Sequence, residues 1–284
     1  MKLMSFTSAQ GSSYGAVEGK RVRDLGARLG AEAPDLRAAI ALGQVSRLEK
    51  LVAASEADFS LDEISFLPVI PNPGKIICAG LNYEAHRTEG GRPDTSDPAL
   101  FLRFAESQTG HEQPLLCPHE SADFDFEGEI AVVIGTGGRR IPLDQALSHV
   151  AGTACYNDGS VRDWQLRTTQ WTPGKNFPQT GAFGPWMVTA DELPADRVLS
   201  LVTRVNGQEM QRTTTDLMTF PVARLISFIS TFTTLEPGDV IVTGTPGGVG
   251  FRRNPQVFLK DGDIVEVEVS DVGILRNTVR KEVL

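Results

Sequence analysis

The chain has 284 residues, room for one large domain with a smaller one, and its 40% hydrophobic content supports a buried core rather than disorder. Lysine and arginine number 27 against 36 acids, a formal net charge of −9, and no stretch is densely basic, which argues against nucleic acid as a partner. An anionic ligand must then be drawn in by a few local cations or a metal, not by the field of the whole molecule.

Lys2 to Phe6, Tyr14 to Val17 and Arg21 to Asp24 read as short strands. The opening MKLMSFTSAQGSSYG has no apolar core of a secretory signal, and no apolar run approaches a membrane span, so a cytoplasmic protein free of membrane is expected. A helical stretch follows, with Leu36, Ile40, Leu42, Val45, Leu48 and Leu51 near helical spacing. The proline-rich segment Leu67 to Gly74 reads as an extended linker. Residues 1–70 are therefore expected to form a small α+β unit, and residues 71–284 the main domain.

Beyond the linker the texture changes to β-rich runs, KIICAGLN, EIAVVIG, VTRVNG, DVIVTGTPGG and DIVEVEVSDVG, separated by turn residues. Helical patterns are fewer, around Pro142 to His149 and Pro221 to Thr231. Strands that do not alternate with long helices favour a mixed α/β, β-rich fold, a twisted roll or sandwich with peripheral helices, over a doubly wound sheet. Cys78, Cys117 and Cys155 show no paired spacing and are expected to be reduced thiols in the core. His111, His119 and His149 lack partners at ligand spacing and read as structural or exposed.

Asp125-Phe126-Glu127-Gly128-Glu129 runs directly into the apolar strand Ile130 to Ile134. Residues two apart share a face of a strand, so Glu127 and Glu129 point the same way, with Asp125 a candidate to join them. Parallel carboxylates entering an apolar strand repel each other and lose hydration, and a divalent cation keeps both ionised. An exposed acidic edge is the bland alternative. A further acid, Asp158, ends the β-prone run Gly152 to Asn157. Three carboxylates with no Cys–His pairing describe a site for Mg²⁺, Mn²⁺ or Ca²⁺ rather than Zn²⁺.

GLNYEAHRTE (80–89), DFEGEIAVVIG (125–135), NDGSVRDWQ (157–165), GKNFPQTGAFGP (174–185) and GTPGGVG (244–250) stand in one order along the chain. Together they resemble the fumarylacetoacetate hydrolase superfamily, over roughly Lys75 to Val279. The resemblance implies a mixed β-sandwich roll with a small N-terminal cap, residues 71–284 forming the catalytic domain, and a homodimer. It implies metal ligands at Glu127, Glu129 and Asp158, a catalytic pair at His86 and Glu89, and a substrate-binding lysine at Lys175. Arg162 and Gln165 match positions near the substrate carboxylate, Thr245 lies in a glycine-rich loop that closes on it, and Gln211 and Met218 match a segment lining the site. Arg103 departs from the family, standing where many members have lysine. The stretch from Gly90 to Phe104 and the run ESQTGHEQPL are also atypical, and they are expected near the lid and entrance.

His86 and Glu89, three apart, lie together on one helical turn, where the carboxylate orients the imidazole. Such a pair activates water for attack on a 2,4-diketo acid or acylpyruvate, a small anionic substrate, and C–C hydrolysis is the leading expectation. The alternative keeps the same site for isomerisation, decarboxylation, tautomerisation or dehydration of an oxo acid such as 2-hydroxyhepta-2,4-diene-1,7-dioate or oxaloacetate. A non-catalytic, metal-stabilised binding module stands behind both. The glycine-rich loop lacks the G-K-[ST] ending of a phosphate loop, which argues against nucleotide binding.

Overall fold

The apolar run that follows Glu129 becomes the strand Gly128–Ile134, buried at every residue. In the structure, a computed structural model describing residues 1–43 and 45–283 with the side chains of Val45 and Ser46 left aside, this strand lies inside a 12-stranded sheet. It pairs antiparallel with Val150–Asn157 on one side and Val240–Val242 on the other. Beyond them the sheet continues through Gly181–Thr189 on one flank, and through Ile76–Gly80 and Ala99–Arg103 on the other. A five-stranded sheet contains Ser200–Val205, Gln208–Thr214, Ile264–Val269 and Gly273–Lys281.

Strand alternation sorts the core into layers. Ile130 packs with Leu201, Val205, Val265 and Val267 between the two sheets. Further along the same face, Val132 and Ile134 meet Leu225, Ile226 and Ile229 of the helix Val222–Phe232. Ala131 and Val133 point the opposite way, into a cluster with Leu25, Leu36, Ile40 and Leu48. The fold is thus the strand-rich mixed α/β arrangement the sequence predicts.

Several elements differ from their expected form. The predicted helical stretch is two helices, Leu36–Ala41 and Val45–Ala54, divided by a turn at Leu42 and Gly43. Asp35 caps the first by accepting from the Ala38 amide; the apolar position expected at Val45 lies outside the described side chains. Around Pro142 to His149 only a short 3-10 helix forms, Ala146–His149. The strand Gly181–Thr189 was hidden by Gly184 and Pro185, which interrupt its pattern. Pairing jumps from Met187 opposite Ala154 to Gly184 opposite Cys155, so Pro185 sits in a bulge and withholds no ladder amide. The N-terminal strands are continuous with the main sheet, because Lys2 and Leu3 pair with Val188 and Met187. All three cysteines are buried free thiols. Among the described residues no helix is long and apolar enough to cross a membrane.

Candidate metal centre

Gly128 pairs with Asn157 across the two central strands, which sets Glu127, Glu129 and Asp158 around one point. Two local bonds lock the arrangement: the Asp158 amide donates to the Glu127 carbonyl at 2.8 Å, and the Glu127 amide to Asn157 Oδ1 at 3.0 Å. The three carboxylates are buried and each offers an oxygen, all within 4.8 Å of one another. Gly244 donates its amide to Glu129 Oε2 at 2.6 Å. That approach requires glycine, since φ is +102° and a Cβ would sit 2.7 Å from the Asn82 side chain.

Asp125 does not join the three. Its Oδ1 accepts the amides of Phe126 and Gly250, and its Oδ2 accepts the Phe251 amide and Arg162 Nε, at 2.8–2.9 Å. Turned away in this manner, it anchors Arg162, whose guanidinium reaches Glu127 Oε1 at 2.7 Å and Gln165 Oε1 at 2.9 Å. Lys175 Nζ bridges Glu127 Oε2 at 2.6 Å and Asp158 Oδ2 at 2.5 Å, and also meets Ser160 Oγ at 2.6 Å. Arg103, expected near the entrance, is instead fully buried and paired with Asp158. It ends the strand Ala99–Arg103, where it pairs with Ile76.

Four buried carboxylates (Asp125, Glu127, Glu129, Asp158) therefore face three buried cations (Arg103, Arg162, Lys175). Glu129 carries the mismatch: burial, then the charges of Asp158 and Glu127, push its carboxyl well up. Burial works against the charged form of Glu127 as well, but Arg162 and Lys175 outweigh it and hold that carboxyl well below the usual range. For Lys175, burial opposes the charge and the Asp158 and Glu127 carboxylates more than restore it, so its ammonium is held charged. Three clustered carboxylate oxygens and an excess of buried negative charge fit a hard divalent cation. The acidic triad could hold such an ion.

A cleft opens above this floor. Of the site residues expected from sequence, His86, Glu127, Glu129, Arg162, Gln165, Lys175 and Thr245 all line it. Asp158 lies beneath, fully covered. His86 Nδ1 is 3.4 Å from Glu89 Oε2 on the helix Glu84–Glu89, and both Glu89 oxygens accept the Gly248 amide at 3.2 Å. Gln211 stands behind the wall: it donates to Thr245 Oγ1 and the Pro246 carbonyl and accepts from the Gly128 amide, tying the glycine-rich loop to the acidic strand. Met218 lines a separate apolar pocket behind Ile130 and Val132. Sequence reasoning missed the aromatic walls Phe101, Trp171 and Phe251, and the Ser160 hydroxyl. Ser160 had a signal, lying two residues after Asp158 in the NDGS motif; Trp171 had none.

A profile for the fumarylacetoacetate (FAA) hydrolase C-terminal region matches residues 75–280. The chain belongs to this family. Within the fumarylacetoacetate hydrolase family it is 42% identical over 219 residues to "Oxaloacetate tautomerase FAHD2A, mitochondrial" of Bos taurus, covering 76% of this chain and 70% of that one. A putative HpcE protein from Mycobacterium smegmatis matches with a TM-score of 0.88 at 32% identity, covering 100% of both chains. A maleylpyruvate hydrolase from Sphingobium sp. SYK-6, in complex with manganese(II) ion and pyruvate, matches with a TM-score of 0.83 at 27% identity, again covering 100% of both. Proteins similar to this chain are thus named as tautomerases and isomerases as well as hydrolases, and the chain belongs to that enzyme family.

Proposed function

We propose that this enzyme tautomerises a small anionic 2-oxo acid of the oxaloacetate type, using Mg²⁺ or Mn²⁺ held by Glu127, Glu129 and Asp158. The observation that carries the reading is the meeting, in one cleft, of three buried carboxylates and a charged lysine on the floor with an oriented imidazole at the mouth. The curated relative named as an oxaloacetate tautomerase, at 42% identity, favours tautomerisation over the hydrolysis put first from sequence alone.

Glu127, Glu129 and Asp158 would hold the divalent cation, which would supply a positive centre beside the 2-oxygen of the oxo-carboxylate end. Lys175, its three N–H groups committed to Glu127, Asp158 and Ser160, sets a fixed positive charge beside that oxygen as negative charge develops. His86 moves the proton at the neighbouring carbon, and Glu89, fixed by the Gly248 amide, keeps the imidazole turned toward it. Arg162, braced by Asp125 and Gln165, adds positive charge beside the substrate carboxylate, and Thr245 borders it on the glycine-rich loop.

C–C hydrolysis of an acylpyruvate is the second reading, favoured by the intact His86–Glu89 pair, which could orient a water equally well, and by the likeness to maleylpyruvate hydrolase. The test is metal-stripped protein restored with Mg²⁺ or Mn²⁺ and given enol-oxaloacetate and acylpyruvates, followed by ultraviolet absorbance and product mass. Metal-dependent enol–keto conversion without cleavage, lost in Glu127→Ala, supports the tautomerase. Pyruvate plus a carboxylic acid moves the assignment to hydrolysis, and no turnover of either class refutes both. On the family resemblance we also propose a homodimer and a cap formed by residues 1–70. A cytoplasmic location is proposed from composition alone, while the bovine relative is named as mitochondrial.

A further inference from the structure

The three carboxylates of the triad are held by different sets of partners, with Lys175 shared by two of them. Glu129 is held by the Gly244 amide, Glu127 by Lys175 and Arg162, and Asp158 by Lys175 on Oδ2 and Arg103 on Oδ1. Arg103 is the member of this set that the proposed chemistry leaves without a task. Both side chains of the Arg103–Asp158 pair are 0% exposed.

The guanidinium is itself fixed on every edge. The nitrogen that meets Asp158 also donates to the Gly159 carbonyl at 2.9 Å; the other terminal nitrogen donates to Thr180 Oγ1 at 2.9 Å and the Ser107 carbonyl at 3.4 Å; Nε donates to Ser107 Oγ at 3.2 Å. A carboxylate with one partner can still turn about its last torsion, whereas partners on both oxygens fix its plane. Lysine is a compact charge on a flexible stem and lacks the planar fork that joins Asp158, Gly159, Thr180 and Ser107 at once.

We infer that Arg103 is a positioning residue that sets the plane of Asp158 and thereby the cation affinity of the triad. It does not line the cleft, and the member of the triad it meets is Asp158. The inference rests on the metal site proposed above.

The test compares the full-length wild type with Arg103→Lys, using Mn²⁺ as the probe. Isothermal titration calorimetry reads its dissociation constant, the electron paramagnetic resonance spectrum reads the symmetry at bound Mn²⁺, and the metal-free melting temperature reads structural damage separately. Arg103→Lys is expected to weaken Mn²⁺ binding by about tenfold or more, the range for losing a partner that orients a ligand, and to change the spectrum. Thr180→Val, which removes the far-side partner of the fork together with the hydroxyl's bond to the Phe177 carbonyl, is expected to weaken binding in the same direction by less, and decides the matter should Arg103→Lys fail to fold. Unchanged Mn²⁺ affinity and spectrum in a folded variant, with only a lower melting temperature, would overturn the inference and leave the metal site standing. A wild type that binds no Mn²⁺ would overturn the metal site and this inference with it.

Discussion

Glu89 accepts the Gly248 amide on both carboxylate oxygens, each at 3.2 Å, while facing His86 Nδ1 at 3.4 Å. The orientation of the imidazole is thus set by the glycine-rich loop as well as by the helix that carries it. Gly248 has φ of +101°, and a Cβ there would lie 2.4 Å from the Met210 carbonyl. Gly248→Ala must shift the loop and withdraw the amide. We expect kcat to fall by about a hundredfold, the loss that an ångström of misplacement can bring, while Mn²⁺ affinity changes less than about threefold. Steady-state kinetics with calorimetric titration checks both halves.

A cation bound by Glu127, Glu129 and Asp158 stabilises the fold by mass action. At about a hundred times its dissociation constant the gain is about 2.7 kcal/mol, or roughly 5–10 °C in melting temperature for a chain of this size. Differential scanning fluorimetry with Mn²⁺, then with a chelator, should show the shift and its reversal. Glu129→Gln should melt at the same temperature with or without the ion.

Asp125 anchors Arg162 and accepts three backbone amides, from Phe126, Gly250 and Phe251. Asp125→Asn removes one of the two carboxylates that face the buried Arg162 guanidinium, Glu127 being the other, and puts an amide donor against donors. The expected cost is about 3–5 kcal/mol, the range for breaking a buried pair from one side. Urea denaturation measures it, and an effect under about 1 kcal/mol would contradict the anchoring role.

His111 is packed edge-on against Phe66 at 4.8 Å, and its Nδ1 accepts the Arg276 amide at 3.1 Å. Burial holds its pKa below the ordinary 6.5. Between the two values the unfolded chain binds more protons than the folded one, so stability rises with pH there. This contribution is complete above about 6.5 and is lost as pH falls through the lowered folded value. His111→Gln should flatten the dependence of melting temperature on pH below about 6.5 relative to wild type. Parallel curves would count against it.

The legible part of this molecule was whatever short-range spacing encodes. Glu127 and Glu129 could be paired from their separation of two, and His86 with Glu89 from three, because strand and helix periodicities act within a few residues. Asp125 stayed a mere candidate for the same site because alternation places a side chain on a face without saying what lies beyond it. Its true partners, Arg162 and the 250–251 amides, are more than thirty residues away. Arg103 was visible as a departure from the family pattern but was assigned to the entrance, since only the pairing of Ala99–Arg103 with Ile76–Gly80 carries it inward to Asp158. Gly181–Thr189 escaped notice because a bulge excuses its proline, and bulges are written in the partner strand as much as in their own.

The strand Gly128–Ile134 is hydrogen-bonded on both edges and covered on both faces. Amides in such a position exchange with solvent only through large-scale unfolding, while helix ends and loops open far more often. The floor of the cleft therefore belongs to the slowest-opening part of the molecule, and its mouth, built from Glu84–Glu89 and the 244–250 loop, to the faster. Entry and escape of the ion and of substrate can then run on the clock of the mouth, leaving the acids in register between turnovers.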